Sequence, residues 1–300
     1  MHLPDIVLHE PADLKEAGSL LARLGPRARV LAGGTDLLND LRTGRIEPCE
    51  LVSLARVGGL RGIEAQVGGG RMSPSKAGLR IGALTTIAEM EESPLLSGPF
   101  AVLAEAASGM ATPQVRNAAT VGGNIVGAVP CADMPPVLGV LDASLVLWSL
   151  SGSRTVAIAS FFNAPRSAGR RDDEILTEIL VPSPPERFGA SYARLGLRDG
   201  NAIAVAGVAA SLALGSRDRI AAARLMLAAV APIPKRAVAA EDALVGRELE
   251  EAIDHAVAET ARAAEPISDV RGSAAYRGEM VRVLARRALR AAGERAKEAR

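Results

Sequence analysis

The run Val30-Leu31-Ala32-Gly33-Gly34-Thr35-Asp36-Leu37-Leu38, with Leu41 behind it and Gly44 as a stop, decides how the chain is read. Val30 to Ala32 predict a short strand, the two glycines a turn, and the spacing of Leu37, Leu38 and Leu41 a helix. A strand that enters a helix through a glycine turn leaves unpaired N–H groups beside the positive end of the helix, a place that favours an anion such as phosphate. The run is not a P-loop, because Gly-Lys-Ser/Thr is missing, and it is not G-x-G-x-x-G. A Gly-Gly pair also serves a plain tight connection, so alone it is weak support for a ligand.

Upstream, Leu14, Ala17, Leu20, Leu21 and Leu24 are spaced as a helix over residues 13–24 that ends at Gly25-Pro26. Downstream, Leu51-Val52-Ser53-Leu54 predicts another strand, giving a βαβ-like unit in about the first 55 residues. From Leu60 the pattern changes to short strands and turns. It includes a glycine stretch at Gly68-Gly69-Gly70, a strand at Leu79 to Ala83 and a helix over Phe100 to Ala107. A second glycine turn at Thr120 to Asn124 follows, then strands at Ser144 to Trp148 and Ile175 to Val181. Pro182, Pro184 and Pro185 form the clearest linker and mark a domain boundary. The predicted organisation is a first domain of residues 1–182, with subdomains of about 1–55 and 56–182, and a second of residues 186–295. Beyond the linker, Ala204 to Leu214 and Ala221 to Val230 are apolar strand candidates whose alanine content leaves helix open. Ala237 to Leu244 and Leu249 to Ala263 predict helices, and Val281, Leu284, Ala285, Ala288 and Leu289 mark the apolar face of a last, arginine-rich one.

Composition narrows the function. At 300 residues, 48% hydrophobic and 23% charged, the chain is an ordinary globular protein long enough for about two domains. Thirty-five Lys+Arg against 34 Asp+Glu give a net charge of +1, so no global field draws nucleic acid or an anionic membrane. Only 2% of residues are aromatic, which disfavours base stacking. Cys49 and Cys131 are too few for a disulfide framework, a four-thiolate zinc site or an iron–sulfur cluster. Met1 to Asp5 lacks an export signal, and the uncharged run Gly200 to Ser216 is short of a membrane span and reads as a buried strand with its turns. These features predict a cytoplasmic protein.

The second turn, Thr120-Val121-Gly122-Gly123-Asn124, again pairs two glycines with a hydroxyl and an amide, and Asp133 follows as a carboxylate able to accept from a ribose hydroxyl or an adenine amine. Two such turns from distant parts of the chain predict one pyrophosphate held from both sides by backbone dipoles rather than lysines. The competing view is two unrelated turns, with Asp133 a surface or capping carboxylate. His2, His9 and His255 have no metal-ligand spacing, and Ser108 and Ser273 lie in no nucleophile elbow. No catalytic residue is predicted. The arginine-rich last helix is a solvated face or one that meets an acidic partner.

With these residues in place, the chain resembles the FAD-binding medium subunits of molybdenum hydroxylases, similar to those of carbon monoxide dehydrogenases and bacterial xanthine dehydrogenases. Four blocks carry the resemblance: Leu31 to Leu38; Gln114-Val115-Arg116-Asn117-Ala118-Ala119-Thr120-Val121-Gly122-Gly123-Asn124-Ile125 with Ala132-Asp133; Glu174-Ile175-Leu176 leading to Pro182; and Asp269-Val270-Arg271-Gly272-Ser273-Ala274-Ala275-Tyr276-Arg277. The resemblance implies an α+β fold: a two-subdomain FAD-binding domain of the molybdopterin dehydrogenase type, then a C-terminal domain of a small antiparallel sheet with helices. It implies that Ala32, Gly33, Gly34, Thr35, Asp36, Leu37, Thr120, Gly122, Gly123 and Asn124 bind the FAD pyrophosphate. Asp133 would contact the adenosine half or its phosphate neighbourhood, and Leu176 the adenine side. Arg194 stands where relatives often carry a lysine near the flavin, and Met110 where xanthine-oxidising enzymes place an aromatic residue against the ring.

The implied function is electron transfer. A large molybdopterin-binding subunit holding the molybdenum cofactor oxidises substrate, [2Fe–2S] clusters on a small subunit relay electrons, and FAD in this chain passes them to NAD+, a quinone, oxygen or another carrier. The implied assembly is a dimer of heterotrimers. The alternatives are a non-catalytic scaffold subunit with an empty flavin site, and an ATP-using transferase, which lacks a phosphate lysine and a Mg²⁺ carboxylate set.

Overall fold

The computed structural model describes residues 4–47, 50–66, 78–198 and 200–299. Cys49, Gly68-Gly69-Gly70 and the first residues of the chain fall outside them. The N-terminal unit runs β1 (Val7–His9), α1 (Leu14–Leu24), β2 (Ala28–Leu31), α2 (Leu37–Arg42), β3 (Glu50–Ser53). Asp13 starts α1 by accepting from the Glu16 N–H at 2.8 Å, and Gly25, at φ 58°, ends it. The three strands form a parallel sheet in the order β1-β3-β2, with Val30 opposite Val52, and Ala17, Leu21 and Leu24 of α1 are buried in one cluster with Val52. β2, α2 and β3 are the βαβ unit predicted from the opening run.

The middle of the chain supplies β4 (Ile63–Gln66), β5 (Gly78–Gly82), α3 (Ile87–Glu92), α4 (Ala101–Ser108), α5 (Pro113–Ala118), α6 (Val121–Val126) and α7 (Met134–Val140). It continues as β6 (Ser144–Ser149), β7 (Gly152–Ala157), the hairpin β8 (Phe162–Ala164) and β9 (Ser167–Ala168), and β10 (Ile175–Val181). An antiparallel sheet in the order β4-β5-β10-β6-β7 buries Ile81, Leu145, Leu147 and Ile179 in one core with Ile87, Leu103, Ile125 and Leu138 of the helices. Segment 120–124, predicted as a turn, is the cap and first helical turn of α6: Thr120 Oγ1 accepts from the Gly123 N–H. Two glycines with low helix propensity disguised the start of a helix.

After the prolines come β11 (Phe188–Leu195), β12 (Ala206–Leu214), β13 (Ile220–Ala228), β14 (Lys235–Arg236), α8 (Val238–Leu244), α9 (Leu249–Ala263) and α10 (Ala274–Glu298). The strands form an antiparallel sheet in that order. All of β12 is buried: Val208, Ala210 and Leu212 pack with α8, α9 and α10, while Ala209 and Ala213 join the core of α4 and α7. Burial on both faces produces the unbroken apolar run seen in the sequence, and the same packing carries one core across the proline linker. The architecture is α+β.

Candidate functional site

A cavity of about 1040 Å³ opens between the N-terminal unit, helices α3, α5 and α6, the β8–β9 hairpin, the start of β10 and the β11–β12 connection. It is lined by Ala32, Gly33, Gly34, Thr35, Asp36, Leu37, Thr120, Gly122, Gly123, Asn124, Asp133 and Leu176, as well as Met110. The two glycine segments meet because their glycines allow close backbone approach. A Cβ on Gly33 would stand 1.8 Å from the Ala118 carbonyl oxygen, and one on Gly122 would stand 2.6 Å from the Ala83 carbonyl oxygen. The missing side chains therefore make room for protein backbone.

The two segments differ in what they offer a ligand. The N–H groups of Gly33, Gly34, Thr35 and Asp36 donate to no backbone or side-chain acceptor among the described residues. In the second segment, by contrast, the N–H groups of Val121, Gly122, Gly123 and Asn124 donate to Thr85 O, Ala83 O, Thr120 Oγ1 and Thr120 O at 2.9–3.1 Å. The expectation of backbone dipoles on both sides is corrected: free main-chain donors come from the first segment. The second offers side chains, the Thr120 hydroxyl and the Asn124 amide. The Asn124 carbonyl oxygen accepts from the Met134 N–H at 3.3 Å, which leaves the amide nitrogen without a partner among the described residues.

Charge around the cavity balances. Arg29, Arg45, Arg116, Arg166 and Arg170 face Asp36, Asp40, Asp133, Asp172 and Glu174. Arg29 and Arg170 donate to backbone carbonyls, of Pro26 and Ala28 and of Arg171, Asp172 and Glu174. Asp40 holds Arg166 of the β8–β9 turn at 2.8 Å and also pairs with Arg45, tying the hairpin to α2 beside the cavity. Burial, reinforced by Asp40, raises the Asp36 pKa above the ordinary carboxylate value, and its carboxylate has no hydrogen-bond partner among the described residues.

Glu174 is buried and grips Arg154 through two bonds, Nε to Oε1 at 2.6 Å and Nη2 to Oε2 at 2.9 Å, while the Arg171 N–H donates to it at 2.7 Å. Beside it the β10–β6 register shifts between Leu176 and Glu178, a bulge at the point where Leu176 meets the cavity.

At another part of the wall, Asp133 is 6% exposed and accepts from the Tyr192 hydroxyl at 2.7 Å. Burial raises its pKa, against the opposing pull of Arg194 and the Tyr192 bond. One oxygen of the carboxylate predicted to serve a ribose or adenine, Oδ1, thus already serves Tyr192. Arg194, predicted to lie by the cofactor, is not among the lining residues; its Nε lies 3.3 Å from Asp133 Oδ1, behind the wall. Tyr192, Arg116 and the Glu174–Arg154 pair are site-shaping residues missed in the sequence. Arg116 and Glu174 stand inside motif blocks, and Tyr192 is one of two tyrosines in the chain.

Residues 4–184 match the family model described as the FAD binding domain in molybdopterin dehydrogenase, and residues 191–292 that of the CO dehydrogenase flavoprotein C-terminal domain. The carbon monoxide dehydrogenase medium chain of Afipia carboxidovorans is 34% identical over 291 residues, covering 96% of this chain and 97% of that one. The xanthine dehydrogenase FAD-binding subunit of Escherichia coli O157:H7 is 31% identical, with 94% of each covered. Among solved structures, a carbon monoxide dehydrogenase from Hydrogenophaga pseudoflava that lacks the Mo-pyranopterin moiety of its cofactor superposes with a TM-score of 0.91 at 34% identity, over 98% of this chain and 99% of that chain.

Proposed function

The chain belongs to the FAD-binding medium subunits of molybdenum hydroxylases, a family of oxidoreductases, and on that premise we propose that it takes electrons from the [2Fe–2S] clusters of a small partner subunit and delivers them to an external acceptor. The observation that carries the proposal is the row of unpartnered N–H groups at Gly33 to Asp36 facing Thr120 and Asn124 across a cavity of dinucleotide size. With cavity charge balanced, oriented dipoles rather than a cationic patch supply the attraction for a pyrophosphate. Bound FAD supplies the redox chemistry.

The chain's own residues bind and orient. Gly33 to Asp36 donate to phosphate oxygens from one side, and Thr120 and Asn124 from the other. The Asp36 carboxylate, repelled by phosphate, suits a sugar hydroxyl. Leu176 closes the adenine side, and Met110 with Ala111 forms the wall at the flavin side. Because Asp133 touches Arg194, we place it at the flavin half rather than at adenine.

The assembly we propose is a cytoplasmic dimer of heterotrimers with a large molybdopterin-binding subunit and a small [2Fe–2S] subunit. Residues 1–182 would form the FAD-binding domain and 186–295 the C-terminal domain. Relatives named as medium chains and FAD-binding subunits support the multi-chain setting. Among the described residues no helix is long and apolar enough to cross a membrane. Purified protein is expected to be yellow and to release FAD on denaturation. Near-zero flavin after reconstitution of folded protein with excess FAD would sink the proposal and favour an empty scaffold.

A further inference from the structure

Ala111 has φ +44°, a left-handed conformation that an L residue keeps only where its surroundings hold it there. Two guanidinium groups do the holding. Arg116 of α5 donates from Nη1 to the Met110 carbonyl at 2.8 Å and is itself anchored by Glu91 at 2.7 Å. Arg194 donates from Nη1 to the Gly109 carbonyl at 2.6 Å. Its backbone lies inside a strand ladder, opposite Gly207, so the group is launched from a rigid element.

Arg194 does more than hold this turn. Its Nη2 donates to the Ala202 carbonyl at 2.5 Å, and its Nε faces Asp133. Three segments far apart in sequence, ending in Met110–Ala111, Asp133 and Asn201–Ile203, thus converge on one side chain, and all three line the cavity. Arg194 does not line it. A planar guanidinium directs several N–H groups in fixed directions; an ammonium on the same strand carries the charge without the fork.

We propose that Arg194 is a positioning residue that sets the shape of the flavin-side wall from behind, making the C-terminal sheet part of the device that holds the isoalloxazine half of FAD. The inference rests on the FAD reading above and deepens it. Arg194 acts through the carbonyls of Gly109 and Ala202, so its geometry matters and its charge alone does not.

The test uses the full chain stripped of flavin, with Arg194→Lys and Arg194→Gln, titrated with FAD and separately with ADP, which probes the adenosine and pyrophosphate half alone. Thermal melting and the visible circular dichroism of bound flavin are recorded in parallel. Both variants are expected to bind FAD about tenfold or more weakly, to keep ADP affinity within about twofold, and to share an altered flavin dichroic band. Wild-type FAD affinity and dichroism in Arg194→Lys would overturn the proposal, because charge alone would then suffice. Equal losses of ADP and FAD affinity would also overturn it, by showing general support of the fold. Failure of the FAD reading itself would appear earlier, as a wild-type chain that binds ADP no worse than FAD or binds neither.

Discussion

Gly33 lies so close to Ala118 that a Cβ on it would stand 1.8 Å from the Ala118 carbonyl oxygen. The turn that opens α2 and the helix that precedes α6 therefore share a backbone-to-backbone seam, and the seam brings both glycine segments to one cavity. Gly33→Ala must part them, at a cost of about 1–3 kcal/mol in stability. Its FAD affinity should fall with it. Gly58, with nothing within 4 Å of its hypothetical Cβ, is the control: Gly58→Ala should leave flavin binding unchanged. Chemical denaturation and flavin titration of both variants check this, and wild-type flavin affinity in Gly33→Ala would disprove the seam's role.

Gly123 presents a different case. Its N–H is held by Thr120, and the nearest atom to an added Cβ is the Thr120 hydroxyl oxygen, at 2.9 Å, so that capping side chain has to give slightly, at a small cost to the cap. Gly123→Asp should keep its fold while placing a carboxylate beside the pyrophosphate, where like charge repels. The expected result is a native far-ultraviolet dichroism spectrum with flavin occupancy near zero; full occupancy in a folded variant would mean that this residue faces no phosphate.

Parts of this site were legible in the sequence for a local reason. Val30 to Leu54 alternates strand, turn and helix signals that each read correctly from a few neighbours, and the lining residues of the first glycine segment sit inside those signals; those of the second sit in a stretch that reads as a turn and is the start of α6. β12 was harder, because a strand buried on both faces shows no alternation; only its register with β11 and β13 separates it from a helix. Arg194 is named by the resemblance, but its place behind the wall was not legible, for a related reason. Its partners at Gly109, Asp133 and Ala202 are set by how one ladder packs on another segment, which no local spacing encodes. The bulge at Leu176 likewise depends on a register between strands about thirty residues apart.

The Glu174–Arg154 pair predicts an acid limb in stability. The Arg154 hydrogen bonds hold the Glu174 pKa below its ordinary value of 4.5. A carboxyl whose folded pKa is depressed stabilises the protein above its unfolded pKa and loses that contribution as pH falls through the folded one. The stability gap between wild type and Glu174→Gln should therefore be full near neutrality and shrink below about pH 4.5. Denaturation midpoints across pH 3–7 measure it; a gap independent of pH would refute the assignment.

The Asp40–Arg166 pair joins α2 to the hairpin beside the cavity, and Arg166 is 41% exposed. An exposed pair of this kind contributes at most about 1 kcal/mol and is weakened by salt. Arg166→Ala should release FAD no more than about fivefold faster than wild type, with the difference narrowing at high salt. Stopped-flow dissociation at two ionic strengths decides it, and an unchanged rate at low salt would show that the pair does not retain the cofactor.

Electron entry is the last test, and it follows from ligand arithmetic. The chain has two cysteines, and no group of three or more His, Cys, Asp or Glu side chains among the described residues is arranged to hold a metal ion. A [2Fe–2S] cluster takes about four protein ligands, so in the proposed relay the cluster belongs to another subunit. Dithionite should bleach the flavin of the isolated chain, whereas the organic or gaseous substrate of the molybdenum subunit should not. In the assembled complex that same substrate should bleach it. Anaerobic absorbance at the flavin band, with and without the partner subunits, separates the cases: substrate-driven bleaching of the isolated, metal-free chain would mean that it oxidises substrate directly, and the relay would have to be abandoned.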